Sequence, residues 1–517
     1  ALQEQAPQVL QNILSWYDSN NLEMCHSILL ALGNLVIDRY PLLMEIRTQI
    51  IQMVDDFVIR LAQHQIDNGE YVNDEENESG RLDILFGSFT DVLYLMEWIF
   101  KQYKELAPDS PTQWMATILM FMSLPGDESL QEAQQNAIRA GKYGTEMIIQ
   151  ALMNMSEEER TRSEAKNNPR YFELICELMQ TSEYPGVVGE CFSAMKFMLK
   201  KHIELDPAFL SVALEAGFAG IDGSLPCQRK RSFELQDSKK LFGFFKELAK
   251  NMPAQFPLQH YVDIGKKLVS SDKRELFDIA HYIKVTAFLF KFYQEHLQQH
   301  NLVQKFMLKN MIQAFQRYSA TFTDEDTEYA AFSVPPSALE SMYVLLQINP
   351  KLVEAVFPNI LELIKLILAS EPSDDQFYSS TIAHAIQFLF VSKQVLGDAF
   401  DLTQWMPVLL PKLPLNNMGD EKLSQHIYPC IFTFMQDPTF IQTYGNDILR
   451  VFAQTLGRKE RQFARYQFTP QITATLISST QQLITMSGAN ETVLQSFFAD
   501  DQQSYQRFMN RIQPSSS

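Results

Sequence analysis

The 517-residue sequence predicts an all-α fold, a stack of antiparallel helical hairpins. Its 23 prolines are spread along the chain. Asp and Asn accept hydrogen bonds from a first helical turn, where proline loses nothing because its missing N–H would be unbonded. Such pairs recur as Asn168-Pro169, Asp206-Pro207, Asn349-Pro350 and Asp437-Pro438. Apolar residues recur at helical spacing between them, without a strand pattern, which favours a macromolecule-binding surface over a catalytic pocket.

The clearest hairpin covers residues 349–370. Asn349-Pro350 opens a short helix, and Pro358 interrupts it because the residue before a proline disfavours helical geometry. The second helix carries an apolar stripe at helical spacing, formed by Ile360, Leu363, Ile364, Ile367 and Leu368. Two short helices joined at a proline make one repeat of the HEAT type. The prediction is therefore an α-solenoid of HEAT-like hairpins forming a superhelix, a single array over 1–517.

Further helices follow from the same periodicity. In chain order they are expected at 22–38, 42–66, 82–106, 111–123, 128–155, 169–181, 186–203, 272–299, 301–320, 374–395, 401–412, 419–436, 438–456, 468–487 and 490–513. Three loops interrupt the pattern. Residues 67–80 are acidic without an apolar stripe, residues 217–231 contain glycines and end in three basic residues, and residues 323–337 form a second acidic loop.

Net charge and composition limit the kinds of partner that we expect the chain to bind. The net charge is −19, and residues 1–100 hold 16 Asp and Glu against four Arg and no Lys. A nucleic-acid-binding protein shows the opposite balance, so we expect no direct nucleic-acid contact. We also expect no membrane insertion, because no apolar run approaches the roughly 18 residues that a membrane helix needs. The five cysteines contain no C-x-x-C pair and indicate buried free thiols of an intracellular protein. Because the chain begins at Ala1 inside a helical pattern, we expect it to be part of a longer protein.

No constellation of catalytic type survives inspection. The nucleophile elbow, the P-loop and the dinucleotide-binding fingerprint are all missing from the sequence. His296 and His300 have zinc-ligand spacing on a helix, but the glutamate that metalloproteases place after the first histidine is lacking. We read them as surface histidines. The sequence therefore predicts a protein that is not an enzyme, with no catalytic, cofactor-binding or metal-binding residues and no cofactor.

Two charged segments are candidate contact sites. An acid-rich segment is the candidate for a basic partner, through Asp67, Glu70, Asp74, Glu75, Glu76 and Glu78. A basic segment is the candidate for an acidic partner, through Arg458, Lys459, Arg461 and Arg465. The ordinary alternatives stay open for both: a solvated loop for the acids and a solvated helix end for the basic residues.

The last third of the chain resembles a known superfamily. Trp405 is followed by Leu413-Pro414-Leu415, two acids and a helix carrying Tyr428, and the chain closes with the acidic, glutamine-containing segment 497–508. Over residues 335–513 this pattern is similar to the C-terminal repeats of the importin-β (karyopherin-β) superfamily, nearest to the importin-4 and importin-5 class.

The resemblance implies a nuclear transport receptor that shuttles between cytoplasm and nucleus. Such a receptor holds protein cargo on its concave face and contacts Phe-Gly nucleoporins on its convex face. Family members use acidic inner helices for basic cargo signals, which makes the 67–78 acids the candidate here. The family's N-terminal repeats that bind the Ran GTPase are not matched in residues 1–330, so Ran binding stays open. The alternatives are an exportin of the same superfamily and a HEAT-repeat scaffold of a multiprotein complex.

Overall fold

The described residues of the computed structural model are helices joined by turns, without a strand among them. They cover 11–17, 24–25, 27–29, 31, 52–53, 56, 79–102, 109–124, 128–154, 167–203, 205–229, 231–270, 276–292, 308–316, 334–369, 376–415, 421–499 and 501–513. Most of the predicted helices at 22–38 and 42–66 lie outside these ranges. The chain divides into two compact units, residues 1–257 and 258–517. A single array over 1–517 stays a prediction.

Seven long helices are described in the first unit between residues 79 and 251. They are α1 (Ser79–Gln102), α2 (Asp109–Ser123), α3 (Gln131–Asn154), α4 (Asn167–Thr181), α5 (Pro185–Lys200), α6 (Pro207–Asp222) and α7 (Leu235–Asn251). In one layer, α1, α3, α5 and α7 pack each against the next. In the other, α2 contacts α4 and α4 contacts α6. The pairs α2/α3, α4/α5 and α6/α7 are successive hairpins, which confirms the predicted HEAT-like arrangement in this unit.

Helix α7 illustrates how the sequence forms a layer. Leu241, Phe244, Phe245 and Leu248 recur at helical spacing, and all four are buried. Their stripe packs on α5, where Phe192 meets Phe244 with ring centroids 5.8 Å apart. Burial of each such side chain contributes about 1.5–3 kcal/mol relative to exposure.

The predicted loop at 217–231 is wrong in its first part. Helix α6 continues to Asp222 and ends at Gly223, whose φ of 73° is left-handed. Residues 226–229 then form a turn of 3₁₀ helix. Gly217 lies inside α6, where a Cβ would be 2.8 Å from the Phe245 ring, so the glycine allows α6 and α7 to approach closely. The sequence reading took a packing glycine for a loop glycine.

The second unit begins with α8 (Leu258–Ser270) and continues with helices of more varied length. They are α9 (Leu276–Phe292), α10 (Val334–Ile348), α11 (Pro350–Glu354), α12 (Phe357–Ala369), α13 (Gln376–Leu396), α14 (Met406–Leu409), α15 (Ser424–Phe434), α16 (Pro438–Leu456), α17 (Glu460–Phe463), α18 (Pro470–Ser487), α19 (Glu491–Ser496) and α20 (Gln502–Ile512). Helix α10 starts before Pro336, so the predicted loop 323–337 ends earlier than expected. Residues 323–333 lie outside the described part.

Helices α9, α10, α13, α15 and α18 pack each on the next and form the first layer of this unit. Helices α8, α12 and α16 each pack against this layer, through α9, α13 and α18 respectively. Helix α20 closes on α16 and α18 through buried Tyr505, Phe508 and Ile512. The predicted stack of helical hairpins is therefore confirmed for the described helices of the last third, apart from the segment 401–412.

One predicted helix of this unit, 401–412, is wrong as a continuous element. The segment is a 3₁₀ turn, the single turn α14 and a second 3₁₀ turn ending at Lys412. Pro407 and Pro411 are four residues apart, so Pro411 lacks the N–H that would reach the carbonyl of Pro407 and its ring crowds that carbonyl. The apolar residues of this segment have helical spacing, but its backbone cannot form a continuous series of helical hydrogen bonds.

The predicted proline caps hold at two of the four pairs. Asp206 and Asp437 each accept a hydrogen bond from the second helical N–H, at 2.8 and 2.9 Å. Asn349 makes no side-chain cap bond. Asn168 lies inside α4, which starts at Asn167. An aspartate cap also interacts favourably with the positive end of the helix dipole, whereas asparagine offers only the hydrogen bond.

The expectation that no segment is long and apolar enough for a membrane is wrong for one helix. Residues Pro207–Arg229 pass that test by length and composition, although a core helix of a soluble protein passes it too. Here Leu210, Ala213 and Ile221 are buried, and the helix contacts α4, α5 and α7. The segment is explained as a core helix of the first unit.

Candidate functional site

The two predicted contact segments have different outcomes. Residues 67–78, which hold the six candidate acids, lie outside the described residues, so that site stays a prediction. The basic segment is described, and it follows α16 directly. Arg458 and Lys459 form the turn after α16, Arg461 lies on α17, and Arg465 lies on the 3₁₀ turn that follows.

Arg458 and Lys459 line an open cleft of about 700 Å³. Its walls are the C-terminal half of α16, the turn to α17, the segment after α19 and the start of α20. The lining residues are Arg450, Gln454, Arg458, Lys459, Gln462, Ser496, Phe497, Phe498, Ala499, Asp501, Ser504 and Arg507. Four of these side chains are cationic and one is a carboxylate. We call this feature the basic cleft.

A glycine at the end of α16 allows the walls of the basic cleft to approach each other. A Cβ at Gly457 would lie 2.5 Å from the Phe498 ring and 2.9 Å from the carbonyl oxygen of Ser504. Only glycine therefore allows the segment after α19 to lie directly against the end of α16. This contact brings Arg507 and Asp501 next to the basic turn.

Arg450 and Arg507 are fixed by acceptors of the chain itself. Arg450 donates to the carbonyl oxygens of Leu410 and Leu413, at 2.6 and 3.1 Å. Arg507 donates to the carbonyl oxygen of Gly457 at 2.9 Å and to the hydroxyl of Ser504 at 2.7 Å. Both guanidiniums thus bind helix C-terminal carbonyls, where positive charge is favourable.

Asp501 is the only described carboxylate that lines the basic cleft. It accepts hydrogen bonds from the hydroxyl and the backbone N–H of Ser504, at 2.6 and 3.0 Å. These bonds, above all the one from the Ser504 hydroxyl, lower the pKa of the Asp501 carboxyl below its ordinary value. The carboxylate is therefore ionised and already engaged in capping α20, with Arg507 4.0 Å away.

The basic residues of the predicted segment lie in different surroundings. Arg458 is half-buried and interacts with the hydroxyl of Tyr466, whose pKa burial raises to about 12. Lys459 is exposed, and within the described part of the chain no carboxylate pairs with it. Arg465 pairs with the buried Glu421 at 3.6 Å and is not among the cleft residues. Arg461 is exposed and also lies outside the cleft.

Sequence reasoning missed three arginines that build this region: Arg450, Arg507 and Arg511. Arg511 donates to the carbonyl oxygens of Leu456 and Arg458 and pairs with Glu460 at 2.5 Å. Its guanidinium lies 4.5 Å from the centre of the Phe463 ring. Arg507 and Arg511 are four residues apart on α20 and therefore lie on the same face of the helix. This spacing could have been recognised in the sequence. Nothing in the sequence marked Arg450.

The residues that carry the family resemblance are packed into this same region. Trp405, Leu413, Leu415 and Tyr428 are buried. The hydroxyl of Tyr466 donates to the carbonyl oxygen of Leu415 at 2.9 Å, and the Tyr428 ring stacks on Phe452 at 5.6 Å. The resembling residues are therefore core residues, and Tyr466, which contacts Leu415, also interacts with Arg458 of the basic turn.

A second cleft, of about 420 Å³, lies in the first unit between the end of α2, the start of α3, and α4. Its charged lining consists of Arg170, Glu177 and Glu183, and Arg170 already pairs with Glu173 at 3.3 Å. It therefore offers no concentrated charge of either sign. Among the described residues no group of three His, Cys, Asp or Glu is placed to hold a metal ion, and His296 and His300 lie outside them.

No protein-family model matches the chain, and no curated protein matches it. Among solved structures it is similar to a crystal structure of Kap121p, with 8% identity and a TM-score of 0.38 over 89% of this chain. It is also similar to a crystal structure of importin beta in an ammonium sulfate condition, with 9% identity and a TM-score of 0.36 over 99% of this chain. The chain spans about half of the length of Kap121p, 53%, and 80% of the importin beta chain.

Proposed function

We propose that this chain is a nuclear transport receptor of the karyopherin kind, or the C-terminal part of one, and not an enzyme. It binds protein cargo, contacts Phe-Gly nucleoporins and shuttles between cytoplasm and nucleus. The observation that carries the proposal is the packing of the resembling segment. Its described residues between Trp405 and Phe508 bury apolar side chains between helices beside a charged open cleft. A stack of this kind presents extended surfaces to other proteins.

The apolar exposure of the second unit supports a nucleoporin contact. Leu366 on α12 is 68% exposed and Val408 on α14 is 42% exposed, and both lie outside the first layer. Met486 on α18, within that layer, is 56% exposed. Large apolar side chains on a helical-repeat surface suit the docking of a partner's phenylalanine.

Binding to immobilised Phe-Gly repeats tests the proposal. We expect the chain to be retained, and we expect Leu366→Ser with Val408→Ser to reduce retention. Met486→Ser is the matched control, since it removes similar exposed apolar area from the other layer. Absence of retention, or equal loss in the control, would contradict the nucleoporin contact. A companion pull-down on Ran loaded with GTP or GDP examines Ran binding, where a receptor that binds Ran prefers the GTP form.

The same experiments distinguish two alternative functions. An exportin of the same superfamily would also bind Phe-Gly repeats but would gain cargo affinity when Ran-GTP is present. A HEAT-repeat scaffold of a multiprotein complex would bind neither Phe-Gly repeats nor Ran and would co-purify with fixed subunits. The stacked hairpins suit both, so the pull-downs decide between them.

A further inference from the structure

Three lysines of the first unit lie together on the layer formed by α1, α3, α5 and α7. Lys196 and Lys200 are four residues apart on α5, so they lie on the same face of that helix. Lys196 reaches α7, because a Cβ at Gly243 would lie 3.1 Å from its Cδ and 3.3 Å from its Nζ. Lys239, four residues before Gly243 on α7, acts electrostatically on Lys196, as Lys200 does. We call Lys196, Lys200 and Lys239 the lysine cluster.

Gly243 allows the charges of the two helices to come together. A side chain at this position would occupy the space that the aliphatic stem of Lys196 crosses. With glycine there, the stem lies over the backbone of α7, and its ammonium ends near the face of α7 that carries Lys239. The lysine cluster therefore depends on a close approach between α5 and α7.

The lysine cluster differs in its partners from the lysines that follow it in the sequence. Lys201 pairs with Glu146 at 2.7 Å, and Lys240 pairs with Glu190 at 3.0 Å. Within the described part of the chain, no carboxylate forms an ion pair with a member of the lysine cluster. The neighbouring lysines thus stabilise the layer, whereas the three clustered lysines are left to face solvent.

The clustering of these charges has an electrostatic cost. Burial lowers the pKa of half-buried Lys196, Glu247 offsets part of this, and the charges of Lys200 and Lys239 lower it further. The carboxylate of Glu247 is itself engaged, since it accepts a hydrogen bond from the side-chain amide of Asn251 at 3.2 Å. Like charges repel more strongly where burial removes water. A negatively charged partner would relieve this repulsion.

The number and spacing of the lysines favour an acidic protein segment as that partner. Nucleic-acid affinity grows with the number of neutralised phosphates, and three lysines on a chain of net charge −19 provide little of it. Residues four apart on a helix are separated by about 6 Å along its axis, and alternate residues of an extended peptide by about 6.6 Å. Lys196 and Lys200 therefore match two carboxylates on alternate residues of an extended peptide.

We propose that the lysine cluster binds an extended acidic segment of a partner protein, which runs along α5 beside α7. Lys196 and Lys200 bind carboxylates on alternate residues of the segment, and Lys239 binds a further carboxylate from the side of α7. The inference rests on the proposed protein-binding function and names the chemistry of one partner.

Fluorescence anisotropy with a labelled peptide tests this inference on the full chain. The probe is a ten-residue peptide with glutamate at alternate positions and serine between them, and its control has glutamine in place of glutamate. We expect the acidic peptide to bind, the neutral one not to bind, and binding to weaken as salt rises. Lys196→Gln with Lys200→Gln should weaken binding about tenfold, as for the loss of two partly exposed ion pairs.

The matched control is Lys309→Gln with Lys351→Gln, which removes two exposed lysines of the second unit. It changes the net charge by the same amount and should leave the dissociation constant within about twofold, a change smaller than one lost ion pair produces. Equal weakening by the two double variants, or no weakening by Lys196→Gln with Lys200→Gln, would overturn the inference. So would tighter binding of a single-stranded oligonucleotide than of the acidic peptide, which would indicate a nucleic-acid surface.

Two substitutions of Gly243 separate the effect of charge from that of shape. Gly243→Glu places a carboxylate within the lysine cluster, whereas Gly243→Gln adds an uncharged side chain of nearly the same size. The glutamate variant should bind the acidic peptide about tenfold more weakly than the glutamine variant, because its own carboxylate takes the place of the partner's. Equal affinities of the two variants, with native helix content by circular dichroism, would contradict binding at this position. Peptide binding with no retention on Phe-Gly repeats would remove the transport role alone, whereas retention without peptide binding would remove the lysine-cluster inference alone.

Discussion

The carboxylate of Glu190 on α5 pairs with the ammonium of Lys240 on α7 at 3.0 Å, inside the first unit. The same oxygen accepts from Nε of Arg139 on α3 at 3.0 Å. Glu190 is 4% exposed, while both partners keep some exposure. One buried carboxylate therefore joins three neighbouring helices of one layer and compensates two cations, of which Lys240 also pairs with Asp237 at 3.4 Å.

Glu190→Gln should destabilise the first unit by about 2 kcal/mol at pH 7, because it leaves two partly hydrated cations without their shared carboxylate. Burial alone would raise the pKa of Glu190, but the charges of Lys240 and Arg139 outweigh it and the pKa lies below 4.5. The stabilisation is present above the unfolded pKa and is lost as pH falls through the folded pKa. Urea unfolding from pH 7 down to acid checks this, and an unchanged midpoint at pH 7 would contradict it.

Glu97→Gln should have the opposite effect. Burial raises the pKa of Glu97 above 4.5, and Lys142 and Arg139 offset only part of this. Its contribution is fully present below the unfolded pKa and is lost as pH rises through the folded pKa. The variant should therefore be at least as stable as the parent protein at pH 7, measured by the same urea titration. A loss similar to that of Glu190→Gln would show that Glu97 is a paired carboxylate.

Gly265→Ala should destabilise the second unit by about 1–3 kcal/mol through overpacking. Gly265 lies against the ring of Tyr282, and a methyl group there would overlap the Tyr282 hydroxyl. Tyr282 cannot move away easily, because it stacks on Tyr261 at 4.8 Å. The matched control is Gly445→Ala, where the nearest atom would lie at 3.3 Å and helix propensity favours alanine. Thermal denaturation should separate the two; equal melting temperatures would contradict the packing interpretation.

Arg511→Leu should lower the melting temperature and increase hydrogen exchange in the turn 457–463. The substitution removes the donors for the carbonyls of Leu456 and Arg458, and each lost hydrogen bond costs about 1–3 kcal/mol when its acceptor stays buried. Arg461→Gln serves as the control, because Arg461 is exposed. Unchanged exchange in the turn of the Arg511 variant would mean that other contacts hold it.

Removal of residues 501–517 should cause self-association without unfolding the rest of the chain. Helix α20 covers Phe498 with Tyr505 and Phe508, whose ring centroids lie 5.9 and 5.6 Å from it. Stacked repeats contact only their neighbours, so the loss should stay local. Size-exclusion chromatography and circular dichroism measure the two effects. A monomeric truncated chain, or one that loses most of its helix signal, would contradict the expectation.

The five cysteines should resist thiol reagents in the folded protein. All are free and buried. Burial raises the pKa of Cys176 and Cys430 to about 11 and that of Cys227 to about 12, so few thiolates exist at pH 8. A colorimetric thiol titration should detect almost none in native buffer and all five in guanidinium chloride. Rapid reaction of even one thiol in native buffer would contradict its burial.

The sequence alone determined the helical class and many of the boundaries. The apolar stripe of α12, the aspartate before Pro438 and the proline Pro358 at the start of α12 act within one or two turns, so local periodicity and capping chemistry reveal them. It also marked Arg458 and Lys459 as unusual by charge. The prediction failed where two local features of the sequence favour different structures. Gly217 was expected in a loop but is a packing contact inside a helix. In 401–412 the apolar spacing favours a helix, but the prolines interrupt it.

Only the tertiary structure decided which charges act together. Arg450, Gly457 and Arg507 lie tens of residues apart from some of their partners, and hydrogen bonds to distant carbonyls bring them to one cleft. The same packing pairs Arg465 with Glu421 and so withdraws it from the basic segment. A sequence records which side chains carry charge. The ionic partner of each charge depends on which helices approach each other closely. That approach depends in turn on the volumes of side chains that are far apart along the chain.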